Sequence, residues 1–118
     1  MADSSADPEC LFCRIVAGEV PATLVRASGR VVAFRDIDPK APTHVLVVPR
    51  AHHVCVADLA AADPEALAEV AAEAAAVAAD DGHTDFRLVF NTGAGAGQSV
   101  FHVHAHVLAG RQLAWPPG

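Results

Sequence analysis

FHVHAHVLAG, residues 101–110, decides how the chain is read, because it sets His102, His104 and His106 at strict alternation with only apolar residues between them. A period of two is the repeat of an extended strand, whose successive side chains point to opposite faces. The spacing predicts a strand with the three imidazoles on one face, turned to a cleft or to solvent. Phe101, Val103, Ala105 and Val107 then form a core face. Ordinary exposed strand histidines are a poor account of this pattern directly after a glycine-rich loop. The segment reads as part of a site.

The flanking sequence supplies a sheet for that strand. TLVRAS and VVAFRD flank Gly29 and Arg30 and read as a hairpin. HVLVVP (44–49) is a third strand between Pro42 and Pro49, FRLVFN (86–91) a fourth, and GAGAG (93–97) turns the chain into the fifth. LFCRIVAG (11–18) reads as a short helix closed by Gly18 with Pro21 beyond it. Asp63 caps a second helix with Pro64 at its first position, running to about Asp80 with Leu67, Val70 and Val77 on or near one face. Strands outnumber helices and neighbours are hairpin-linked. The expected class is therefore α+β, a mostly antiparallel five-stranded sheet with two helices.

At 118 residues the chain reads as one domain, residues 10–118, behind a small, acidic and disordered opening segment, residues 1–9. Its hydrophobic fraction of 53% is rich in alanine, so a homodimer interface, with the sheet extended across it, would help complete the core. A formal charge of -6 argues against a nucleic-acid groove or an anionic membrane surface. The alanine-rich run carries Glu65, Glu69 and Glu73, too much charge for a membrane span. Three cysteines and no signal-like start point to a soluble, reducing compartment, the cytoplasm.

A single three-histidine zinc site is opposed by geometry. Same-face neighbours on a strand lie roughly 6.5–7 Å apart, so His102 and His106 are about 13 Å apart at Cα. Zinc nitrogens must lie at about 2.0–2.1 Å, so the rings must divide the work. One could be a nucleophile or base and its neighbours could orient it. GAGAGQS (93–99) reads as an anion nest of inward amides, with Gln98 and Ser99 as added donors, or else as a plain hairpin turn. His83 reads as a surface loop residue without a role. CLFC (10–13) is a Cys-x-x-Cys pair, a metal half-site or two small buried helix residues.

HVHAHVL resembles the signature of the histidine-triad superfamily, and NTGAGAGQSVFHVHAHVLAGRQLAWPPG is similar to the end of its Hint branch. The likeness extends upstream through FRDIDPKAPTHVLVVPRAHH and covers nearly everything from Cys10 to Gly118. The resemblance implies a homodimer that binds purine nucleotides and cleaves the bond from the α-phosphorus to an amine. It implies a nucleotidyl-histidine intermediate and no catalytic metal or organic cofactor. The family nucleophile falls on His104, with His106 and His44 hydrogen-bonding around it and the leaving group. Asp36 falls where the ribose hydroxyls are held and Ile37 where the base is lined. Asn91, Gly97, Gln98 and Ser99 fall around the phosphate, and Trp115 on a tail residue that reaches the partner subunit's site. Asp36 could equally be a turn residue before Pro39, and Trp115 a core or interface aromatic.

Some relatives in that superfamily, galactose-1-phosphate uridylyltransferase-like enzymes among them, hold a structural zinc on two cysteines and two histidines. The matching positions here are Cys10, Cys13, His52 and His102. Other Hint-branch members lack the cysteines. His53 is a rival ligand, and Cys55 reads as a buried strand-end residue. The expected activity is a purine nucleoside phosphoramidase on adenylyl or guanylyl amides. Its rivals are a dinucleoside-polyphosphate hydrolase or nucleotidyl transferase, a nucleotide-binding regulatory module, and a metal-dependent hydrolase.

Overall fold

Thr43–Pro49 is buried at every position and forms the central strand β3. A strand covered on both faces needs apolar residues nearly throughout, which this segment supplies. Around it the computed structural model, which describes residues 6–118, builds one antiparallel sheet. Its other strands are β1 (Leu24–Ala27), β2 (Val31–Arg35), β4 (Arg87–Val89) and β5 (Ala105–Ala109), and the order across the sheet is β1-β2-β3-β5-β4. The expected disorder of residues 1–9 falls for residues 1–5 outside the described residues. Asp7 to Cys10 form a turn instead, with the Cys10 amide donating to the Asp7 carbonyl at 3.0 Å and the Glu9 amide to Asp7 Oδ1 at 2.9 Å.

Helix α1 (Leu11–Val16) and helix α3 (Pro64–Asp80) form where expected. The Asp63 carboxylate caps α3 by accepting from the Ala66 amide at 3.1 Å, with Pro64 at the first helical position, where its missing N–H costs nothing. A third helix, α2 (Val56–Ala62), was not expected. It runs into α3 through the non-helical Asp63 (φ -150°, ψ 77°), so two helices share an unbroken alanine-rich sequence and only Pro64 marks the joint. Cys55 is half-buried at the start of α2, which corrects its reading as a strand-end residue.

Helix α3 covers one face of the sheet. Val70, Ala74, Val77 and Ala78 meet Val31, Ala33, Val45, Val47, Ala105 and Val107 there, all nearly sealed from water. Burying each valine side chain contributes about 1.5–3 kcal/mol. The helix's acidic side is tied down by arginines of the β1–β2 hairpin, Arg26 to Glu73 and Asp80, and Arg30 to Glu65. On the opposite face α1 packs Phe12 against Phe34, Leu46 and Val48. That helix is short, so much of the second face stays open. Among the described residues no helix is long and apolar enough to cross a membrane.

Candidate active site

The open face receives the alternate residues of β3 and β5. Leu46 pairs with His106 and His44 with Leu108, so His44 and His106 are diagonal neighbours on that face. The β5 strand begins only at Ala105, so His102 and His104 precede the ladder instead of extending it. Continuing the register would set Val103 opposite Pro49, which has no N–H to give. The Val103 amide donates to the His53 carbonyl instead, at 2.7 Å. Leaving the strand sends the rings to different surroundings. His102 is fully buried, His104 keeps 6% exposure and His106 is half-buried, so the expected row of imidazoles facing a cleft or solvent fails for His102 and leaves His104 only a narrow opening.

The hydrogen bonds assign the ring protons. His104 Nδ1 lies 2.8 Å from the His102 carbonyl, an acceptor, so Nδ1 carries the proton and Nε2 keeps its lone pair. That Nε2 has no hydrogen-bond partner among the described residues, yet no buried side-chain nitrogen or oxygen there is left without one. It therefore retains contact with solvent. Lys40 N–H donates to His44 Nδ1 at 2.9 Å, which places the His44 proton on Nε2. His44 Nε2–H then donates to His106 Nδ1 at 2.9 Å, leaving His106 with its proton on Nε2. The His104 and His106 rings lie 4.9 Å apart. Burial holds His44 and His104 below the usual histidine value and lowers His106 to about 4. All three rings are neutral at pH 7.

The Asp36, His44 and His106 ligand atoms lie within 4.8 Å of one another, close enough to raise the question of a metal. The tautomers answer it. A neutral imidazole has one lone pair, and that of His44 is taken by the Lys40 amide, so its Nε2 has none to offer. The trio is a proton-bearing chain whose carboxylate sits 3.4 Å from His44 Nε2.

Cys10, Cys13, His52 and His102 behave differently. Their ligand atoms also gather within 4.8 Å. Cys10 Sγ and Cys13 Sγ lie 3.4 and 3.5 Å from His102 Nδ1, and Cys13 Sγ lies 3.6 Å from His52 Nδ1. Sulfur at about 2.3 Å and nitrogen at about 2.05 Å from one tetrahedral centre stand about 3.6 Å apart, so the donor set fits zinc. His102 Nε2–H donates to the Pro49 carbonyl at 2.8 Å, which leaves Nδ1 bare and aimed at the sulfurs. Burial pushes the Cys13 thiol up to about 11, so a metal would have to displace its proton. Neither His53 nor Cys55 joins the cluster.

A cleft of about 560 Å³ opens beside His44 and His106, and Asp36 and Asn91 line it. Asp36 also accepts the Asp38 amide at 2.8 Å through Oδ1, so it serves the turn as well as the cleft. Other expected binding residues lie elsewhere. Ile37 is fully exposed and Trp115 is 81% exposed, with nothing of this chain to line. Gln98 is buried and braces the loop. Its Oε1 accepts the Gly93 amide at 2.9 Å, and its Nε2 donates to the Val54 and Val100 carbonyls at 2.7 and 3.1 Å. The expected anion nest closes on itself, because the amides of Ala96, Gly97 and Gln98 bond carbonyls of Gly93 and Ala94. Gly97 turns that loop at φ 99°, and Ser99 is exposed.

Sequence reasoning missed three cations in the cleft, Lys40, Arg87 and Arg111. A lone basic residue in a strand or turn carries no pattern, so only the fold could bring them together. His83 was also misread. It lies 3.0 Å from Thr43 Oγ1, whose hydroxyl donates to Asp81 at 2.7 Å, while Arg35 grips Asp81 with both terminal nitrogens at 2.6 and 3.0 Å. This network ties β2, β3 and the end of α3 together behind the site.

Residues 17–113 match the HIT domain family model. An uncharacterized HIT-like protein of Synechocystis sp. is 44% identical over 114 residues, which span 93% of this chain and 97% of that protein. A 14 kDa zinc-binding protein of Zea mays is 41% identical over 116 residues, 95% of this chain and 90% of its own. The crystal structure of a HIT family hydrolase from Legionella pneumophila superimposes with a TM-score of 0.89 at 46% identity, covering 93% of this chain and 100% of that one.

Proposed function

The chain belongs to the HIT domain family, and from that premise we propose that it is a nucleotide hydrolase of the phosphoramidase kind, using His104 as nucleophile on adenylyl or guanylyl amides. One observation carries the reading: His104 presents an unprotonated, unbonded Nε2 beside a proton-bearing His44–His106 pair. In the first step Nε2 forms a bond to the α-phosphorus and the phosphorus–nitrogen bond breaks. Its electron pair stays on the departing amine, which takes a proton. Binding an anionic phosphoryl group favours one extra proton on the His44–His106 pair, and His106 Nε2 is its outlet. In the second step water attacks phosphorus, the bond to His104 breaks, and the water's proton restores the pair. Two in-line displacements replace one harder step.

Asp36 would accept from the ribose hydroxyls, and Asn91 would face the phosphate from the cleft wall. Cys10, Cys13, His52 and His102 would hold a structural zinc, whose chemistry is a cross-link between α1 and the residue whose carbonyl sets the His104 tautomer. The zinc-binding relative from Zea mays supports that assignment. A second copy joined at a sheet edge would complete the homodimer and give the exposed Trp115 a place near the partner subunit's cleft.

The test is rapid-quench mass spectrometry during turnover of adenosine 5'-phosphoramidate. A nucleotidyl adduct on His104 is expected, together with loss of turnover in His104→Gly while AMP still binds. Undiminished turnover in that variant refutes the nucleophile.

A further inference from the structure

The chain has 8 lysines and arginines, and nearly all are occupied. Arg14, Arg26, Arg30, Arg35 and Lys40 are paired with carboxylates. Arg50 donates twice to the Ser28 carbonyl. Arg111 is held by neutral oxygens only, the Lys40 and Gln112 carbonyls at 2.8 and 3.0 Å, so its charge is uncompensated. The Arg87 side chain, half-buried on the cleft wall, has no hydrogen bond or ion pair among the described residues. Arg87 and Arg111 share both the main cleft and the recess next to it. The carboxylates nearby are otherwise engaged or apart: Asp38 is bound to Lys40, Asp36 faces His44, and Asp85 in the recess pairs with neither arginine.

Their position relative to the chemistry gives this charge a purpose. Val89 of β4 pairs with His106, and Arg87 pairs with Leu108, so Arg87 stands two residues further along the same face. His104 lies just before β5, and His106 and then the Leu108–Arg87 pair follow it in chain order, the step from His106 to Leu108 being roughly 6.5–7 Å. A group displaced from phosphorus by His104 departs toward its proton donor, His106, and next meets Arg87. We infer that Arg87, with Arg111, forms a subsite for a negative charge on the leaving group, a carboxylate or a phosphate a few bonds from the scissile nitrogen. The inference rests on the hydrolase reading and narrows its substrate class. An arginine fork suits both anions because it matches either one in bidentate fashion.

The test uses a matched set of adenylyl amides: AMP joined through nitrogen to glycine, to glycinamide, and to aminomethylphosphonate. The expected result is a kcat/KM for the glycine adduct about tenfold above that for the uncharged glycinamide adduct, the scale of one hydrogen bond to a charged group. The phosphonate arm shows which anion fits better. Arg87→Gln should bring the ratio close to one, and Arg87→Lys should keep part of it. Because a variant could fail to fold, the wild-type ratio is also followed toward about 1 M salt, where screening acts within about 3 Å, and it should shrink. Equal turnover of the charged and uncharged amides by the wild type overturns the subsite while leaving the hydrolase reading intact. No turnover of any of them overturns both. A ratio that survives in Arg87→Gln, or a variant that alters only the subunit equilibrium by sedimentation, overturns the assignment of Arg87.

Discussion

The alternation made His102, His104 and His106 legible as candidate site residues one at a time, whereas His44 and Asp36 carry no such local pattern and stood out only through the family resemblance. The bracing role of Gln98 was not legible, because a polar residue beside a glycine loop reads the same whether it faces a ligand or holds the loop. Gly110 shows how much a single backbone position can decide. It has φ +96°, and a Cβ there would stand 2.9 and 3.2 Å from Pro42 Cβ and Cγ and 3.3 Å from His83 Cε1. A proline ring has little freedom to yield. Gly110→Ala therefore combines left-handed strain with a collision at the point where the tail leaves β5, and is expected to cost about 2–3 kcal/mol. Urea denaturation measures this, and a loss below about 0.5 kcal/mol would contradict the geometry.

At the scale of elements, the glycine loop and α1 depend on side chains from elsewhere in the chain. Three hydrogen bonds from buried Gln98 join the loop at Gly93 to Val54 and Val100. Gln98→Ala leaves those backbone groups unpaired, and about 2–3 kcal/mol of stability should be lost without nucleotide present. If stability holds while AMP affinity falls, Gln98 is a ligand donor and not a brace. Helix α1 has six residues, too few to persist alone, and is pinned by Phe12 and by the Cys10–Cys13 pair. Stripping metal with a chelator should lower Tm and speed hydrogen exchange in residues 11–16 ahead of β3. Metal-free protein with an unchanged Tm would remove zinc from the account. The boundary between α2 and α3 was illegible because alanine and aspartate run through both, whereas the strands announced themselves by β-branched runs and turn residues.

Across the whole molecule, the strand count and the antiparallel class were legible because each strand's burial pattern is written locally. The order β3-β5-β4 and the cations it collects were not, since pairing across long sequence separation leaves no local trace. That long-range assembly sets how the protein should respond to acid. His44 and His106 are buried as neutral rings, His106 lowered to about 4 from an ordinary 6.5 chiefly by loss of water around it. As pH falls from 6.5 toward 4, the unfolded chain takes up a proton at His106 that the folded form refuses, and His44 acts in the same direction. Stability is therefore full above 6.5 and declines through this window, by up to about 1.4 kcal/mol per pH unit for His106. Asp81 behaves separately: its bond to Arg35 lowers it to about 2 from 3.8. Its contribution persists above 3.8 and is lost between 3.8 and 2, again because the unfolded chain protonates first. Urea denaturation across this range should show two declines. Asp81→Asn should lower stability at pH 7 and remove only the lower decline, because the carboxylate that titrates there is gone. His106→Asn should make the upper one shallower, the remaining buried histidines still contributing to it. A single decline that neither variant alters would mean that these groups are not titrating against the fold, and that the His44–His106 chain is wetter than its burial indicates.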